Sequence, residues 1–451
     1  MVQGPPAVQP AQRLTSAAGQ AQAAPAPTTV AWVWPWQGVK WNLAFIGFCA
    51  YSIAIITYVA PIGEAGMIIA LIGLAFGNQR VRFPLPLIFF GAYYAYAVAT
   101  YPSSVYVPLV KLEMESMGKV ALIFLVGINV LMERTRFRFY LFLYLGAFGL
   151  YPVRGAIFNQ FIYHSAELGR IAWNQAFGNP NDLATLLLFP LGLAAGVLYT
   201  ERNKYVRIAA LTGVVLISMI VFLTQSRGGI LSLAVFGLVV LARQKRRLRM
   251  LPALVLVVAA VFMFAPQGVW TRMKNLGSAT SSGQLREADD QGSAEQRFEI
   301  WKVAFTIWSR DPISGVGLGA YPYAHWRAAR NNADTFKETA RGGRDAHSTY
   351  LTVLAETGAP GFTFFMGIFL SVYAYAQHVR GKIKHSDPDG ERQIFFAQVA
   401  MIALAIAAVF SSWAHIPFTY INVAIMYAMC WILMQKQRAR EAAARQAARF
   451  R

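Results

Sequence analysis

The run LATLLLFPLGLAAGVLY, from Leu183 to Tyr199, contains no charged side chain. Its length falls within the about 17 to 25 apolar residues that an α-helix needs to cross a bilayer. Runs of about 16 to 22 apolar residues recur on both sides of it, separated by short polar breaks. This pattern predicts an all-α polytopic membrane protein.

The composition excludes an ordinary soluble enzyme. Of the 451 residues, 56% are hydrophobic and 14% are charged, whereas about 25% of the residues of soluble domains are charged. The net charge of +20 would suggest nucleic acid binding in a soluble protein. In a membrane protein, the positions of the basic residues indicate first how the chain is oriented in the membrane, so we expect no nucleic acid partner. The two cysteines, Cys49 and Cys430, lie in apolar runs, so neither a disulfide framework nor a cysteine metal site is indicated.

Candidate membrane spans divide the chain. We predict about twelve spans, centred near Gly47, Ala70, Ala92, Leu125, Tyr144, Pro190, Val215, Val235, Val257, Phe365, Ile406 and Ile425. The resulting regions are a disordered N-terminal tail (1–40), spans one to nine (41–265), a large and mainly helical loop domain (266–348), spans ten to twelve (349–435) and a basic C-terminal tail (436–451).

The distribution of basic residues predicts the orientation. Lys and Arg concentrate in alternate short segments that include both tails, and such segments stay in the cytoplasm. We therefore expect the loop domain outside, and the C-terminal tail inside against anionic lipids. Within the loop domain, residues 277–292 are expected to be flexible and residues 295–310 to form an amphipathic helix. The apolar face of that helix would consist of Phe298, Trp301, Phe305 and Trp308.

His347 is the leading catalytic candidate, because it stands where the loop domain enters the tenth span. A histidine at the water-exposed mouth of a membrane bundle titrates near neutral pH, so it can take a proton from a hydroxyl group that attacks an electrophile. Gly358 follows eleven residues later, which in a continuous helix places both residues on one face, about three turns apart. There Gly358 would let another backbone or a ligand approach. The alternative is an interfacial histidine that only forms hydrogen bonds.

Arg227 is the main anion-binding candidate. It lies in a short external turn where a helix N-terminus and a guanidinium together suit a phosphate or diphosphate. Arg297 starts the amphipathic helix on the same side, and Arg154 and Arg170 follow the fifth span in an external loop. Each arginine has a simpler alternative, either contact with lipid headgroups or, for Arg297, a solvated helix face.

Three further patterns are discounted. Asp387 and Asp389 have the spacing of a metal-binding pair, but they flank a proline in a turn expected in the cytoplasm. Asp289 and Asp290 lie in the flexible stretch without a partner at ligand spacing. The glycines of residues 315–319 do not follow a strand, so a nucleotide-binding loop is not indicated. We therefore predict no metal site.

Three sequence features belong together. His347 is followed by Gly358 and Gly361 before a late span, Arg227 lies in a Ser-Arg-Gly turn, and residues 178–181 read Gly-Asn-Pro-Asn at the start of the sixth span. With about twelve spans and one large external loop late in the chain, this pattern resembles the O-antigen ligase and polymerase superfamily, which includes the bacterial protein O-oligosaccharyltransferases.

The resemblance implies a GT-C-like fold and an inverting glycosyltransferase that needs neither metal nor cofactor. The donor would be O-antigen linked to undecaprenyl diphosphate and the acceptor a sugar hydroxyl of lipid A-core, at the periplasmic face of a Gram-negative inner membrane. The resemblance also implies that His347 is the essential histidine, Arg227 the arginine of the short turn and Arg297 the arginine of an RxxxL motif. Trp301 stands where that motif has leucine.

Two alternatives stay open. An O-antigen polymerase or a protein O-oligosaccharyltransferase would share the donor and differ in the acceptor, and the single large late loop favours a ligase over these. A transporter of lipid-linked glycan would need charges within the membrane, for which Asp182 and Glu356 are the main candidates. The large external domain argues against a transporter.

Overall fold

The structure, a computed structural model, describes residues 34–58, 62–78, 80–164, 170–243, 293–331 and 342–449, together with five single residues between 252 and 263. Within these ranges the regular elements are helices. Most of the predicted N-terminal tail, the centre of the ninth predicted span at Val257 and the predicted flexible loop at 277–292 lie outside the described residues.

The first part of the described chain forms α1 (Leu43–Thr57), α2 (Gly63–Ala75), α3 (Leu85–Ala99), α4 (Val107–Val130), α5 (Arg134–Phe148), α6 (Arg154–Phe161), α7 (Pro180–Thr200), α8 (Lys204–Leu223) and α9 (Arg227–Arg243). The later part forms α10 (Ser293–Arg310), α11 (Tyr321–Asn331), α12 (Thr349–Ile383), α13 (Pro388–Ala407) and α14 (Pro417–Arg449). A π-helical turn, Gly149–Val153, joins α5 to α6 and accommodates Pro152, which has no N–H to donate.

Six described helical runs are long and apolar enough to cross a membrane: Arg134–Phe161, Pro180–Thr200, Lys204–Leu223, Thr349–Ile383, Pro388–Ala407 and Pro417–Arg449. The shorter apolar helices α1, α2 and α3 also contain predicted span centres. Apart from Val257, every predicted span centre lies in a helix of the described chain. The chain is thus a polytopic helical membrane protein, and the number of twelve spans stays a prediction.

The most buried helix of the bundle is α7. Of the residues in its most apolar stretch, 83% are buried, and it packs against α8 and α13, while α12 packs against α3 and α14. Several polar side chains between the helices are paired, as a low-dielectric interior favours. Tyr144 donates a hydrogen bond to Asn422 (2.8 Å), and Ser52 and Tyr140 share another (2.8 Å). These hydrogen bonds join α5 to α14 and to α1.

The amphipathic helix predicted at 295–310 is confirmed by α10, but its predicted apolar face is only partly buried. Phe298 and Phe305 are 58% and 56% exposed, whereas Trp301 and Trp308 are half-buried. The buried apolar side chains are Ile300, Val303, Ala304 and Ile307. The last three of these form a cluster with Val316 and Tyr321, which follow α10 in the chain. Both stripes recur at helical spacing on opposite sides of α10, and the aliphatic stripe is the one that fills this cluster.

Candidate active site

His347 lies in an irregular segment directly before α12, which begins at Thr349. Its backbone has a φ of 46°, in the left-handed region that side chains disfavour. The prediction that His347 and Gly358 share one helix face is therefore wrong, for two reasons. His347 precedes the helix, and Gly358, with φ 64° and ψ −174°, interrupts it.

Gly358 nevertheless permits the close backbone approach that its lack of a side chain predicts. The segment after α10 lies against it, because Ala359 donates its N–H to the Pro312 carbonyl (2.8 Å) and a Cβ at Gly358 would overlap the Ile313 carbonyl. Tyr96 of α3 donates its hydroxyl to that same Ile313 carbonyl (2.7 Å). The end of α10 is thus joined to α12 at the interruption of the helix.

Gly361 also has a packing role. It lies one turn beyond Gly358, where a Cβ would overlap the Thr357 side chain and lie 3.4 Å from the Tyr96 ring of α3. A larger residue at this position would collide first with Thr357 of α12 itself. Gly358 therefore lets a neighbouring segment pack against α12, and Gly361 leaves room for the Thr357 side chain.

Hydrogen bonds from two elements hold the segment that carries His347. Trp301 of α10 donates its indole N–H to the carbonyl of Ala346 (2.9 Å). Ser412, in the connection between α13 and α14, donates its hydroxyl to Asp345 Oδ1 (3.0 Å). Because these bonds engage the residues on the N-terminal side of His347, they fix the backbone from which its imidazole projects.

Charged side chains from its own segment and from α10 surround the half-buried His347 imidazole. Burial lowers the pKa of His347, Asp345 opposes this shift, and Arg297 and Arg344 lower the pKa further. Asp182, in the first turn of α7, interacts electrostatically with Asp345 and Arg297. A lowered pKa favours the neutral imidazole, one nitrogen of which accepts a proton. This is the protonation state that a general base requires.

Two of the four predicted anion-binding arginines belong to this neighbourhood. Arg297 is part of the charged cluster around His347. Arg170 donates to the Thr224 carbonyl and to Asn181 Oδ1, both at 3.0 Å. Because Thr224 caps α8 and Asn181 lies in the first turn of α7, Arg170 joins the ends of these two helices beside the cluster.

The other two arginines lie at the starts of helices. Arg227 is exposed at the first residue of α9. The Phe410 side chain packs against Gly228, the residue after Arg227, and its ring centre lies 6.3 Å from that of Trp301. Phe410 therefore lies between α9 and Trp301, the residue that holds the His347 segment. Arg154 begins α6, so its predicted place in a loop is wrong, and its guanidinium lies 4.5 Å from the centre of the Phe158 ring on the same helix. The π-helical turn carries the helix past Pro152 and so puts Arg154 on it.

An ion triad of one buried and two half-buried side chains next to the site was missed by the sequence analysis. His415, between α13 and α14, places Nδ1 3.3 Å from Glu113 Oε1 of α4 and Nε2 3.2 Å from Glu356 Oε2 of α12. The second contact has the distance of an ion pair without the alignment of a hydrogen bond. Burial works against a charged His415, but Glu356 and then Glu113 outweigh it and raise the pKa of His415 to about 9. The imidazole is therefore charged at neutral pH.

The triad connects α4, α12 and the connection that carries Ser412. Glu356, a candidate transport charge in the sequence, is engaged by His415, which weakens the transporter alternative. The sequence did contain one sign of the triad. Glu356 lies in a predicted membrane span, and a carboxylate in apolar surroundings requires a partner. Across the described residues, no group of three or more His, Cys, Asp or Glu side chains is arranged to hold a metal ion.

Residues 212–366 match the family model described as O-Antigen ligase. This part of the chain is similar to O-antigen ligases. The matched part includes Arg227, Arg297 and His347 as well as both glycines of the motif, and the resemblance found in the sequence is confirmed. Members of this family are ligases and polymerases of the glycosyltransferase type. The family implies a lipid-linked polysaccharide as substrate and points to a bacterial membrane protein. A comparison with curated proteins finds no match.

Proposed function

We propose that the protein is an inverting, metal-independent glycosyltransferase that moves O-antigen polysaccharide from undecaprenyl diphosphate to a sugar hydroxyl of lipid A-core at the periplasmic face of the inner membrane. The observation that carries this proposal is the placement of His347, held outside the helix beside Arg297 and Asp345, within the part of the chain that matches the O-antigen ligase model.

The proposed reaction is a single displacement. The acceptor hydroxyl oxygen attacks the anomeric carbon of the donor sugar while neutral His347 takes the hydroxyl proton. The bond between the anomeric carbon and the diphosphate oxygen breaks, and the diphosphate leaves with the electron pair. Attack opposite to the leaving group inverts the anomeric configuration, so no carboxylate nucleophile is needed.

The arginines have the chemistry to stabilise the leaving group. Charge develops on the diphosphate as the glycosidic bond breaks, and a guanidinium binds phosphate oxygens through two parallel N–H donors. In this proposal Arg297 and Arg227 contact the diphosphate, and Arg154 binds it farther from the reacting bond. Arg170 contributes by holding the first turn of α7 in place, because its side chain is engaged by Thr224 and Asn181.

The acceptor and the metal requirement are tested together with purified wild-type protein and undecaprenyl diphosphate-linked O-antigen. Parallel reactions offer lipid A-core, a second lipid-linked glycan or a pilin-type peptide, each with EDTA and with added Mg²⁺. We expect transfer to lipid A-core that is unchanged by EDTA. Transfer only to the second glycan would make the protein a polymerase, and transfer only to the peptide would make it a protein O-oligosaccharyltransferase. Loss of transfer in EDTA would contradict the metal-free mechanism.

A further inference from the structure

A cavity lies at the opposite end of the bundle from His347. It occupies about 1290 Å³ and is lined by residues at the ends of α7, α8, α12 and α13. α12 begins beside His347 at Thr349 and ends at Ile383, next to the lining residue Lys384. α7 likewise begins beside the site and ends at Thr200, which also lines the cavity. The cavity is therefore separated from the candidate active site by the length of these helices.

The charged lining of the cavity is mainly basic. Its basic residues are Arg202, Arg207, Arg243, Arg380, Lys384 and Arg392, and its acidic residues are Glu201, Asp389 and Glu391. The acids are engaged in ion pairs, Glu391 with Arg380, Asp389 with Arg392, and Glu201 with Arg138 outside the cavity. Within the described chain, no acidic side chain lies within ion-pair distance of the other four basic residues. These cations therefore leave the cavity with positive charge available to a ligand.

The rest of the lining is apolar and well packed. Tyr199 and Phe396 stack with their ring centres 5.1 Å apart, and Leu198 and Leu211 extend the apolar wall. Arg380 is only 7% exposed and is held by Glu391 and by Gln398 (2.8 Å), so the base of the cavity is ordered.

Apolar walls beside several cations at the end of a helical bundle match one class of ligand. A phospholipid presents a phosphodiester to arginine and lysine and two acyl chains to apolar surfaces. A zwitterionic headgroup also carries an ammonium, which these cations would repel. An anionic headgroup lacks that ammonium and fits the excess of positive charge.

We propose that this cavity is a binding site for an anionic phospholipid. Its phosphodiester contacts Arg202, Arg207 and Lys384, which are all exposed, and its acyl chains lie along Leu198 and Leu211. The predicted orientation puts the site in the cytoplasmic leaflet. The proposal is independent of the proposed function, because it uses none of the residues near His347.

Native mass spectrometry of the detergent-purified full chain tests the proposal. Phosphatidylglycerol is titrated against phosphatidylcholine with the same acyl chains, and inorganic phosphate is titrated separately. We expect phosphatidylglycerol to bind at least about tenfold more tightly than phosphatidylcholine. Equal binding of the two lipids would overturn the proposal. Inorganic phosphate binding as tightly as phosphatidylglycerol would also overturn it, since the site would then recognise free phosphate rather than lipid.

Variants connect the binding to this cavity. The double variant Arg202→Gln/Arg207→Gln should lose at least about tenfold in phosphatidylglycerol affinity. The charge-preserving variant Arg202→Lys/Arg207→Lys should keep most of it, which separates lost charge from misfolding. Arg327→Gln, an exposed change on α11 in the loop domain, is the control and should bind like the wild type. Unchanged affinity in the first double variant would overturn the proposal, as would an equal loss in the charge-preserving variant.

Discussion

The substitution Gly358→Ala tests how α12 is joined to the end of α10. With φ 64° and ψ −174°, Gly358 occupies a backbone region that is essentially restricted to glycine, where a side chain costs about 1 to 3 kcal/mol. The new Cβ would overlap the Ile313 carbonyl, which accepts a hydrogen bond from Tyr96, and would also disturb the bond from Ala359 to Pro312. Each lost hydrogen bond adds about 1 kcal/mol. We therefore expect a destabilisation of about 3 to 5 kcal/mol.

Thermal unfolding of the purified protein in detergent measures this effect, with glycan transfer as a second readout. The matched control is Gly381→Ala in the same helix, where a Cβ meets no atom within 4 Å and alanine favours the helix. Gly358→Ala should lower the unfolding temperature and reduce transfer, whereas Gly381→Ala should leave both unchanged or raise stability slightly. A Gly358→Ala protein that unfolds at the wild-type temperature would refute the reasoning.

Two further predictions concern titration. The raised pKa of His415 gives a stabilisation that is complete below about pH 6.5 and is lost as pH rises through about 9. Unfolding temperatures should therefore fall across this window in the wild type but not in His415→Gln, and parallel curves would contradict the triad. Arg297 lowers and Asp345 raises the pKa of His347. The acidic limb of the kcat/KM profile for transfer should thus move to higher pH in Arg297→Gln and to lower pH in Asp345→Asn, and shifts in the same direction would argue against His347 as the titrating base.

The helices and the motif could be predicted from the sequence because they depend on local features. Apolar runs of the length of a bilayer identify helices wherever they occur, and the run around Leu183 became the most buried helix, α7. α10 also follows from periodicity. Its buried face did not, because Phe298 and Ile300 belong to stripes that both have helical spacing, and only contacts with Val316 and Tyr321 select between them.

The features that the sequence did not predict depend on contacts between distant residues. A glycine within an apolar helical run is usually tolerated as helix, so Gly358 gives no local sign that the Ile313 carbonyl requires its left-handed backbone. The His415 triad joins residues from three parts of the chain, and its pairing exists only once α4 and α12 have packed. Of the residues around His347, the sequence predicted only those that belong to the motif. Asp182 is distant from them in the chain, and only the fold brings it near Asp345 and Arg297.

The central claim is that His347 acts as the base in glycan transfer, and its replacement by alanine tests this most directly. Initial rates of transfer from undecaprenyl diphosphate to lipid A-core are compared for wild type, His347→Ala and His378→Ala, an exposed histidine toward the other end of α12. The account predicts a loss of about 10²- to 10⁴-fold in His347→Ala with an unchanged unfolding temperature, and wild-type rates in His378→Ala. A well-folded His347→Ala protein with transfer within a few-fold of wild type would contradict it.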